Sequence, residues 1–269
     1  MHSRHNQEFI YQLFALLLSV ILVHGLYVAL IRPNAHAKLE ADLIRQQASE
    51  TFVAERSFYV VLKDYEQEAC LILMLWAIAI MAYKGRRTLA ERRLLQTPLL
   101  QVTEGTRILP EDARQLTRPI QALPEEQQEF LLARALSTAL HRFSATGNIH
   151  EVSAAVTTVC DTESERLDSE LSMIRYITWA VPSIGFIGTV RGIGDALSQA
   201  HRAVQGDIAG VTESLGVAFN STFIALVVSI VLMFLLHQLQ LVQERLVLDT
   251  HNYCDRNLLR HLKADEETS

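Results

Sequence analysis

Residues 181–193 read Val-Pro-Ser-Ile-Gly-Phe-Ile-Gly-Thr-Val-Arg-Gly-Ile, and this stretch decides the fold of the chain. Three glycines, a proline and a threonine stand inside this apolar run. In a soluble helix each glycine would cost about 1 kcal/mol of stability. In a membrane the same small residues let two helix backbones approach closely. The stretch therefore predicts a membrane helix that packs tightly against a neighbouring helix.

The apolar residues of the chain are concentrated in four runs, and a helix needs about 20 such residues to cross a bilayer. The runs cover residues 9–31, 67–83, 176–198 and 214–236. This concentration excludes a soluble globule. The composition, 49% hydrophobic with 3 Cys and a net charge of −6, excludes disorder, a disulfide scaffold and nucleic-acid binding. We predict an all-α membrane protein with four transmembrane helices and long cytoplasmic helical extensions.

The second run is short, because only residues 69–83 lack strongly polar side chains. Residues 39–68 contain neither Pro nor Gly, so we expect one long helix over residues 39–86 that enters the bilayer partway along. The alternative is a separate amphipathic helix with a break near Asp64.

Basic residues beside the second run set the predicted orientation, because Lys and Arg accumulate on the cytoplasmic side of a membrane. They follow residue 83 at once: Lys84, Arg86, Arg87, Arg92 and Arg93. Both termini and residues 84–175 are therefore expected in the cytoplasm, and residues 32–68 and 201–213 outside.

The predicted cytoplasmic loop carries a helix-start signal at Pro124, followed by Glu125 and apolar residues at helical spacing through Leu140. Residues 149–176 lack Pro and Gly and are expected to run as one helix into the third membrane helix. An acidic run in this segment is interpreted as a solvated helix face, which in a ring of subunits would also favour cations. It comprises Asp161, Glu163, Glu165, Asp168 and Glu170.

The third and fourth membrane helices each present a narrow face of small and hydroxyl-bearing residues. At about 100° per residue, Pro182 and Gly185 lie close to Thr189 on the third helix. The fourth helix places four such residues on one face: Ala218, Thr222, Ala225 and Ser229. Polar groups at membrane depth usually face a protein interior or a water path. Ordinary packing, in which each Thr bonds its own helix, is the alternative.

We therefore hold two interpretations of these faces. In the first, Thr189, Thr222 and Ser229 line an ion path. The residues of its wall and helix contacts are then Pro182, Gly185, Gly188, Gly192, Ala218 and Ala225. In the second, the same residues only hold helices together.

The remaining polar groups of the membrane helices are few. Arg191 and Asp195 are four residues apart, so we expect an ion pair near the outer surface, within or between subunits, with attraction of ions as the alternative role. His24 is interpreted as a packed or interfacial histidine. No acid lies deep in a span, so a carboxylate-driven path would need a partner. The chain has no metal-ligand spacing, phosphate-binding loop or nucleophile motif, so we expect no metal, no cofactor and no enzymatic activity.

Residues 181–193 resemble the third-helix signature of the MotA/TolQ/ExbB proton channel family, in which a proline is followed by Gly-x-x-Gly-Thr-Val-x-Gly. Residues 215–226 resemble the family's following helix, where a threonine lies among alanines and glycines. Two departures concern the ExbB and TolQ branch, since Arg191 replaces a frequent tryptophan and Val231 stands near a missing proline. Two N-terminal spans are similar to the MotA layout. The resemblance therefore indicates the family without a branch, and the envelope task stays open.

The resemblance implies a homopentamer in the bacterial inner membrane around a single-span partner of the ExbD, TolR or MotB type. The partner's membrane Asp would carry the ion, H⁺ or Na⁺, and Thr189 and Thr222 would face it. The implied function is a channel-forming stator subunit that converts ion flow into mechanical work, and the alternative is a non-conducting scaffold or sensor subunit. The expected segments are an N-terminal transmembrane helix (1–31), an outer helical segment with the second transmembrane helix (32–83), a cytoplasmic helical loop (84–175), a channel domain (176–240) and a cytoplasmic tail (241–269).

Overall fold

A computed structural model of the chain describes residues 2–48, 57–100 and 107–263. These residues form helices, and their one β feature is an isolated parallel bridge between Ile108 and Leu262. In chain order the helices are α1 (His2–Leu26), a π-helical turn (Tyr27–Ile31), α2 (Arg32–Ala48), α3 (Phe58–Leu62), α4 (Tyr65–Leu94), α5 (Ala113–Gln121), α6 (Glu125–Gln128), α7 (Leu131–Thr146), α8 (Ile149–Glu170), α9 (Ser172–Ser198), α10 (Ala200–Val204), α11 (Ala209–Asn257) and a 3₁₀ turn (Leu259–His261).

The predicted all-α fold is confirmed, and so is the presence of four helices that are candidates to span a membrane. Four helical stretches are long and apolar enough to cross a membrane: Asn6–Asp42, Tyr65–Leu94, Ile149–Ser198 and Ala209–His261. Each contains one of the four apolar runs. The continuous helix expected into the third span is interrupted only by a turn residue, Leu171.

The chain forms two compact units, each built from two separate stretches. The first unit comprises Met1–Ala82 and Met173–Leu236, and it contains the four apolar runs except for Tyr83 at the end of the second run. The second comprises Tyr83–Ser172 and His237–Ser269, which are mostly the residues expected in the cytoplasm. The division into five segments stays a prediction.

The predicted long helix over residues 39–86 is wrong, and the alternative break near Asp64 is confirmed. Helix α3 ends at Leu62 and α4 begins at Tyr65. The break allows Leu62 to pack into a small core with Tyr27 and Ile31 of the π-helical turn. Residues 49–56 of the predicted helix lie outside the described residues.

The first membrane helix continues past its apolar run because its last turn widens. The backbone N–H of Arg32 bonds to the carbonyl of Tyr27, five residues earlier. Pro33, which follows, has no N–H, and its ring would clash with the carbonyl four residues before it in a regular α-helix. The wider π turn precedes that proline, and α2 then runs on to Ala48.

The second unit is built around the pair α7 and α8. Helix α7 ends at Gly147, whose φ of 61° is a left-handed conformation that glycine adopts without strain. Asn148 then starts α8, because its side chain accepts hydrogen bonds from the backbone N–H groups of His150 and Glu151. The core between the two helices includes Leu136, Leu140, Phe143, Val152 and Val156.

The helix predicted from Pro124 through Leu140 is interrupted. The short α6 ends at Gln128, and Phe130 adopts an extended conformation before α7 begins. A carboxylate from another helix supports this new start, since Glu91 of α4 accepts a hydrogen bond from the backbone N–H of Leu131 at 3.2 Å.

The acidic run of α8 is a solvated face only in part, which corrects the prediction. Glu163 is 1% exposed and accepts hydrogen bonds from Arg134 at 2.9 Å and Arg166 at 2.5 Å. Glu170 pairs with the buried Lys84 at 3.0 Å. These two carboxylates therefore stabilise the second unit by pairing with arginines and a lysine.

Three glycines of α9 lie where α11 passes closest. A Cβ on Gly188 would lie 2.5 Å from the Cβ of Ser221, and a Cβ on Gly192 would lie 2.7 Å from the backbone N of Ala218. At Gly185 it would overlap the side chain of Ala225, which is itself fully buried. A side chain at any of these positions would push the two helices apart.

We expect Glu163→Gln to lower the free energy of unfolding by about 1–3 kcal/mol, because both arginines lose a charged, buried acceptor. The measurement is thermal unfolding of the full chain in detergent. Glu165→Gln is the matched control, since Glu165 lies on the same helix and is exposed. Equal losses of stability in both variants would contradict the buried ion-pair assignment.

We expect Gly192→Val to destabilise the contact between α9 and α11 by about 1–3 kcal/mol, because the new side chain overlaps the α11 backbone. Gly194→Val is the control on the same helix, since a Cβ there meets no atom within 4 Å. Thermal unfolding in detergent compares the two variants. A larger loss of thermal stability in Gly194→Val than in Gly192→Val would contradict this contact, because it would mean that another face of α9 packs against α11.

Candidate functional site

Two threonines from successive membrane helices meet at the contact between α9 and α11. The hydroxyls of Thr189 and Thr222 are hydrogen-bonded to each other. Thr189 also lies 3.2 Å from the carbonyl oxygen of Ala218, and Thr222 lies 3.2 Å from that of Gly185. Each hydroxyl thus reaches across to the backbone of the opposite helix. The structure brings together two of the three residues that the sequence analysis placed on an ion path.

Both threonines are only half buried, although the residues around them are more enclosed. Ala218 is 1% exposed and Ala225 is fully buried. A hydroxyl offers one donor and two acceptor lone pairs, so the paired threonines keep acceptor capacity beyond their mutual bond. The pair is therefore a polar spot at the edge of an otherwise tight apolar contact.

Ser229, the third predicted path residue, lies farther along α11 and contacts the region of Pro182. A proline has no N–H, so it leaves the carbonyl of the residue four positions earlier without its helical donor. Here that residue is Thr178, and the Ser229 hydroxyl lies 3.5 Å from its carbonyl oxygen. Ser229 is 5% exposed. The Ser229 hydroxyl thus replaces the backbone donor that Pro182 lacks. The place of Ser229 on an ion path stays a prediction.

Within the chain, Arg191 pairs with a different partner from the one expected. Its guanidinium donates to Glu66 of α4 at 2.8 Å instead of to Asp195, and a pair with Asp195 between subunits stays a prediction. The Glu66 side chain is 11% exposed in this contact, and it comes from a helix that begins only one residue earlier. Glu66 of α4 thus takes the place that the sequence analysis gave to Asp195, one turn away on α9.

Sequence reasoning missed a buried carboxylate in the first turn of α4. Glu68 is 6% exposed and accepts hydrogen bonds from His24 of α1, at 2.7 Å, and from Arg32 of α2. The guanidinium of Arg32 also stacks over the ring of Tyr65, 4.5 Å from its centroid. The signal was present, because Glu66, Gln67 and Glu68 directly precede the apolar run at Ala69.

Gln67 joins the first turn of α4 to α11. It is fully buried, and its side-chain NH₂ lies 3.2 Å from the carbonyl of Val61 and 3.4 Å from the hydroxyl of Ser221. Ser221 is 1% exposed and precedes Thr222 in the chain. Polar side chains therefore extend from the start of α4 to the threonine pair.

The described residues contain no group of three or more His, Cys, Asp or Glu side chains arranged to hold a metal ion. The three cysteines are free and buried. The chemistry that the site offers is that of hydroxyl, amide and carbonyl oxygens, which hold water molecules or small cations.

Comparison with known families identifies the part of the chain that carries this site. Residues 125–252 match the model of the MotA/TolQ/ExbB proton channel family. No curated protein and no solved structure matches the chain significantly. The matched residues include α9 and the threonine pair, while Glu66, Gln67 and Glu68 lie outside them. This segment, a little under half of the chain, is similar to the MotA/TolQ/ExbB proton channel family, and the match supports the resemblance carried by residues 181–193.

Proposed function

We propose that the chain is the channel-forming stator subunit of an ion-driven machine, which couples ion flow across the inner membrane to mechanical work. The observation that carries the proposal is the hydrogen-bonded pair of Thr189 and Thr222 in a segment that is similar to a proton channel family. A hydroxyl oxygen holds a water molecule for proton transfer or ligates a sodium ion, so the pair suits either ion.

In this proposal the ion path runs along the edge of the contact between α9 and α11. Seven residues of helix, about 10 Å, separate Thr222 from Ser229, which extends the line of hydroxyls along α11. Six small or rigid residues form the wall and keep the backbones close: Pro182, Gly185, Gly188, Gly192, Ala218 and Ala225. Residues 176–240 would then be the channel domain.

The carboxylate that carries the ion comes from a partner. Residues 214–236 of α11 contain no Asp or Glu, and Asp195 is the only acid of α9. We therefore infer a single-span protein of the ExbD, TolR or MotB type whose membrane Asp faces the threonines of a pentamer. The drive available is about 2.3 kcal/mol per charge for each 100 mV. Both termini and residues 84–175 would lie in the cytoplasm.

A non-conducting scaffold or sensor is the second candidate, and one observation favours it. Each threonine hydroxyl also lies within hydrogen-bond distance of a backbone carbonyl of the opposite helix. Bonds of this kind hold helices together without any ion. The two candidates differ in whether removal of the hydroxyls changes conduction or only stability.

We expect Thr189→Val and Thr222→Val each to reduce ion flux about tenfold or more, the equivalent of about 1.4 kcal/mol in the barrier. Valine keeps the shape of threonine and removes the oxygen that the ion or its water needs. The measurement is proton uptake by vesicles that contain the complex isolated through a tag on the full chain. Repeating it with a sodium gradient identifies the ion.

Thr212→Val is the matched control. Thr212 is exposed, and its hydroxyl donates to the carbonyl of Ile208 in its own helix turn. It should conduct like the parent. Parental flux in both pair variants, or an isolated complex without flux and without a single-span subunit, would favour the scaffold.

A further inference from the structure

Four oxygen atoms of the first unit are buried without a hydrogen-bond partner among the described residues. One of them, Oδ1 of Asp42, lies 3.8 Å from the ammonium group of Lys38. The other three are the hydroxyl of Tyr27, Oδ2 of Asp64 and Oε1 of Gln67. Tyr27 and Gln67 are fully buried as residues. Leaving such groups unpaired costs about 1–3 kcal/mol each, so most buried polar atoms in proteins have a partner, often an ordered water or ion. These three atoms keep hydrogen-bonding capacity that a bound ligand could use.

The three residues belong to elements that pack together in the first unit. Tyr27 lies in the π-helical turn and shares a small core with Leu62 of α3. Asp64 stands between α3 and α4, and Gln67 lies in the first turn of α4. The NH₂ of Gln67 is committed to Val61 and Ser221, which leaves its carbonyl oxygen as the free acceptor.

Helix capping does not account for this arrangement. An Asp followed three residues later by Gln has the spacing of a capping box, in which each side chain bonds to the backbone N–H of the other residue. Here the Gln67 amide donates to Val61 and Ser221, and Oδ2 of Asp64 accepts nothing from the described residues.

The charges around Asp64 leave it without a counter-ion. Each neighbouring cation already has its own carboxylate among the described residues. Lys63 lies 3.3 Å from Glu213, Arg191 lies 2.8 Å from Glu66, and Arg32 bonds Glu68. Asp64 forms no ion pair with any described residue. A carboxylate with one buried oxygen and no ion pair favours a proton or another small cation as its partner.

The electrostatics of Asp64 agree with that conclusion. Burial raises the pKa of Asp64, and the negative charge of Glu66 adds to the shift. The positive charges of Lys63 and Arg191 and hydrogen bonding by the Gln67 side chain lower the pKa of Asp64. Asp64 is also close enough to Tyr27 for its charge to act on the tyrosine hydroxyl, as do the charges of Glu68 and Arg32.

A continuous series of polar groups connects this place to the threonine pair. Gln67 contacts the hydroxyl of Ser221, Ser221 is the chain neighbour of Thr222, and Thr222 bonds Thr189. The Ser221 side chain also lies against the backbone of Gly188. Gly188 directly precedes Thr189 in the chain.

We propose that Tyr27, Asp64 and Gln67 form an outer cation site that binds the transported ion, as a proton on water or as Na⁺, next to the threonine pair. The inference rests on the proposed function and adds to it a binding group on the chain itself. The site stands outside residues 125–252, so it uses a part of the chain that the family match does not cover.

Infrared difference spectroscopy of the full chain in lipid bilayers tests the site without any partner. The difference between acidic and alkaline buffer should contain the C=O band of a protonated, buried carboxyl group. We expect Asp64→Asn to remove that band and Asp64→Glu to keep a shifted one. Glu66→Gln is the control, because the Glu66 carboxylate already has a partner in Arg191. An Asp64→Asn spectrum identical to that of the parent would overturn the proposal.

Titration with NaCl at constant pH distinguishes the two ions. If Na⁺ is the ligand, it should displace the proton and reduce the band at concentrations where KCl does not. If the proton is the ligand, both salts should leave the band unchanged. Loss of the band with either salt alike would point to screening of the surface and would contradict a specific cation site.

Flux through the isolated complex then separates this inference from the proposed function. We expect Asp64→Asn to lower ion flux about tenfold, and Asp64→Glu to retain most of it. If the threonine variants stop flux and Asp64→Asn does not, the cation site is wrong and the proposed function stands. If the parent complex conducts nothing while the Asp64 band is present, the proposed function fails and the cation site remains.

Discussion

The close approach of α9 and α11 is the constraint on which the rest of the membrane unit depends. It exists because Gly185, Gly188 and Gly192 carry no side chain where the fourth helix passes. In a bilayer, lipid chains are as apolar as leucine, so tight backbone contact and hydrogen bonds must hold the helices together. The same contact brings the hydroxyls of Thr189 and Thr222 into bonding distance. Packing and chemistry therefore share one cause.

Charge compensation at the start of α4 is the second constraint. Glu66 and Glu68 stand in the first turn of a membrane helix, where an unpaired charge would be expensive. Both are paired with cations from other helices, and Glu68 also bonds His24. This full pairing is what sets Asp64 apart. It also gives Arg32 and Arg191 a role on the predicted outer side, although Lys and Arg generally accumulate on the cytoplasmic side.

The sequence predicted what depends on local composition and failed where distant residues decide. Four apolar runs and the glycine spacing around Thr189 were enough for the membrane helices and for the small, polar faces that carry Thr189 and Thr222. The break at Asp64 is not marked by a Pro or Gly in the sequence. It depends instead on the packing of Leu62 against Tyr27, which is distant in the chain. Arg191 finds its partner 125 residues away along the chain, so a neighbour at i+4 was the wrong choice within one subunit. Glu163 likewise needed Arg134 from another helix to become a buried residue.

The central claim is that Thr189 and Thr222 lie side by side and line the ion path. Disulfide trapping at these two positions tests it most directly, because the distance and the ion flux are measured on one protein. The double variant Thr189→Cys/Thr222→Cys, with the three native cysteines replaced by alanine, would be oxidised in vesicles and its ion flux measured. The account predicts a disulfide within one subunit, seen as an unchanged monomer mass on a non-reducing gel, and a loss of flux that a reductant reverses. Absence of the bond, bonds only between subunits, or unchanged flux through the oxidised complex would contradict it.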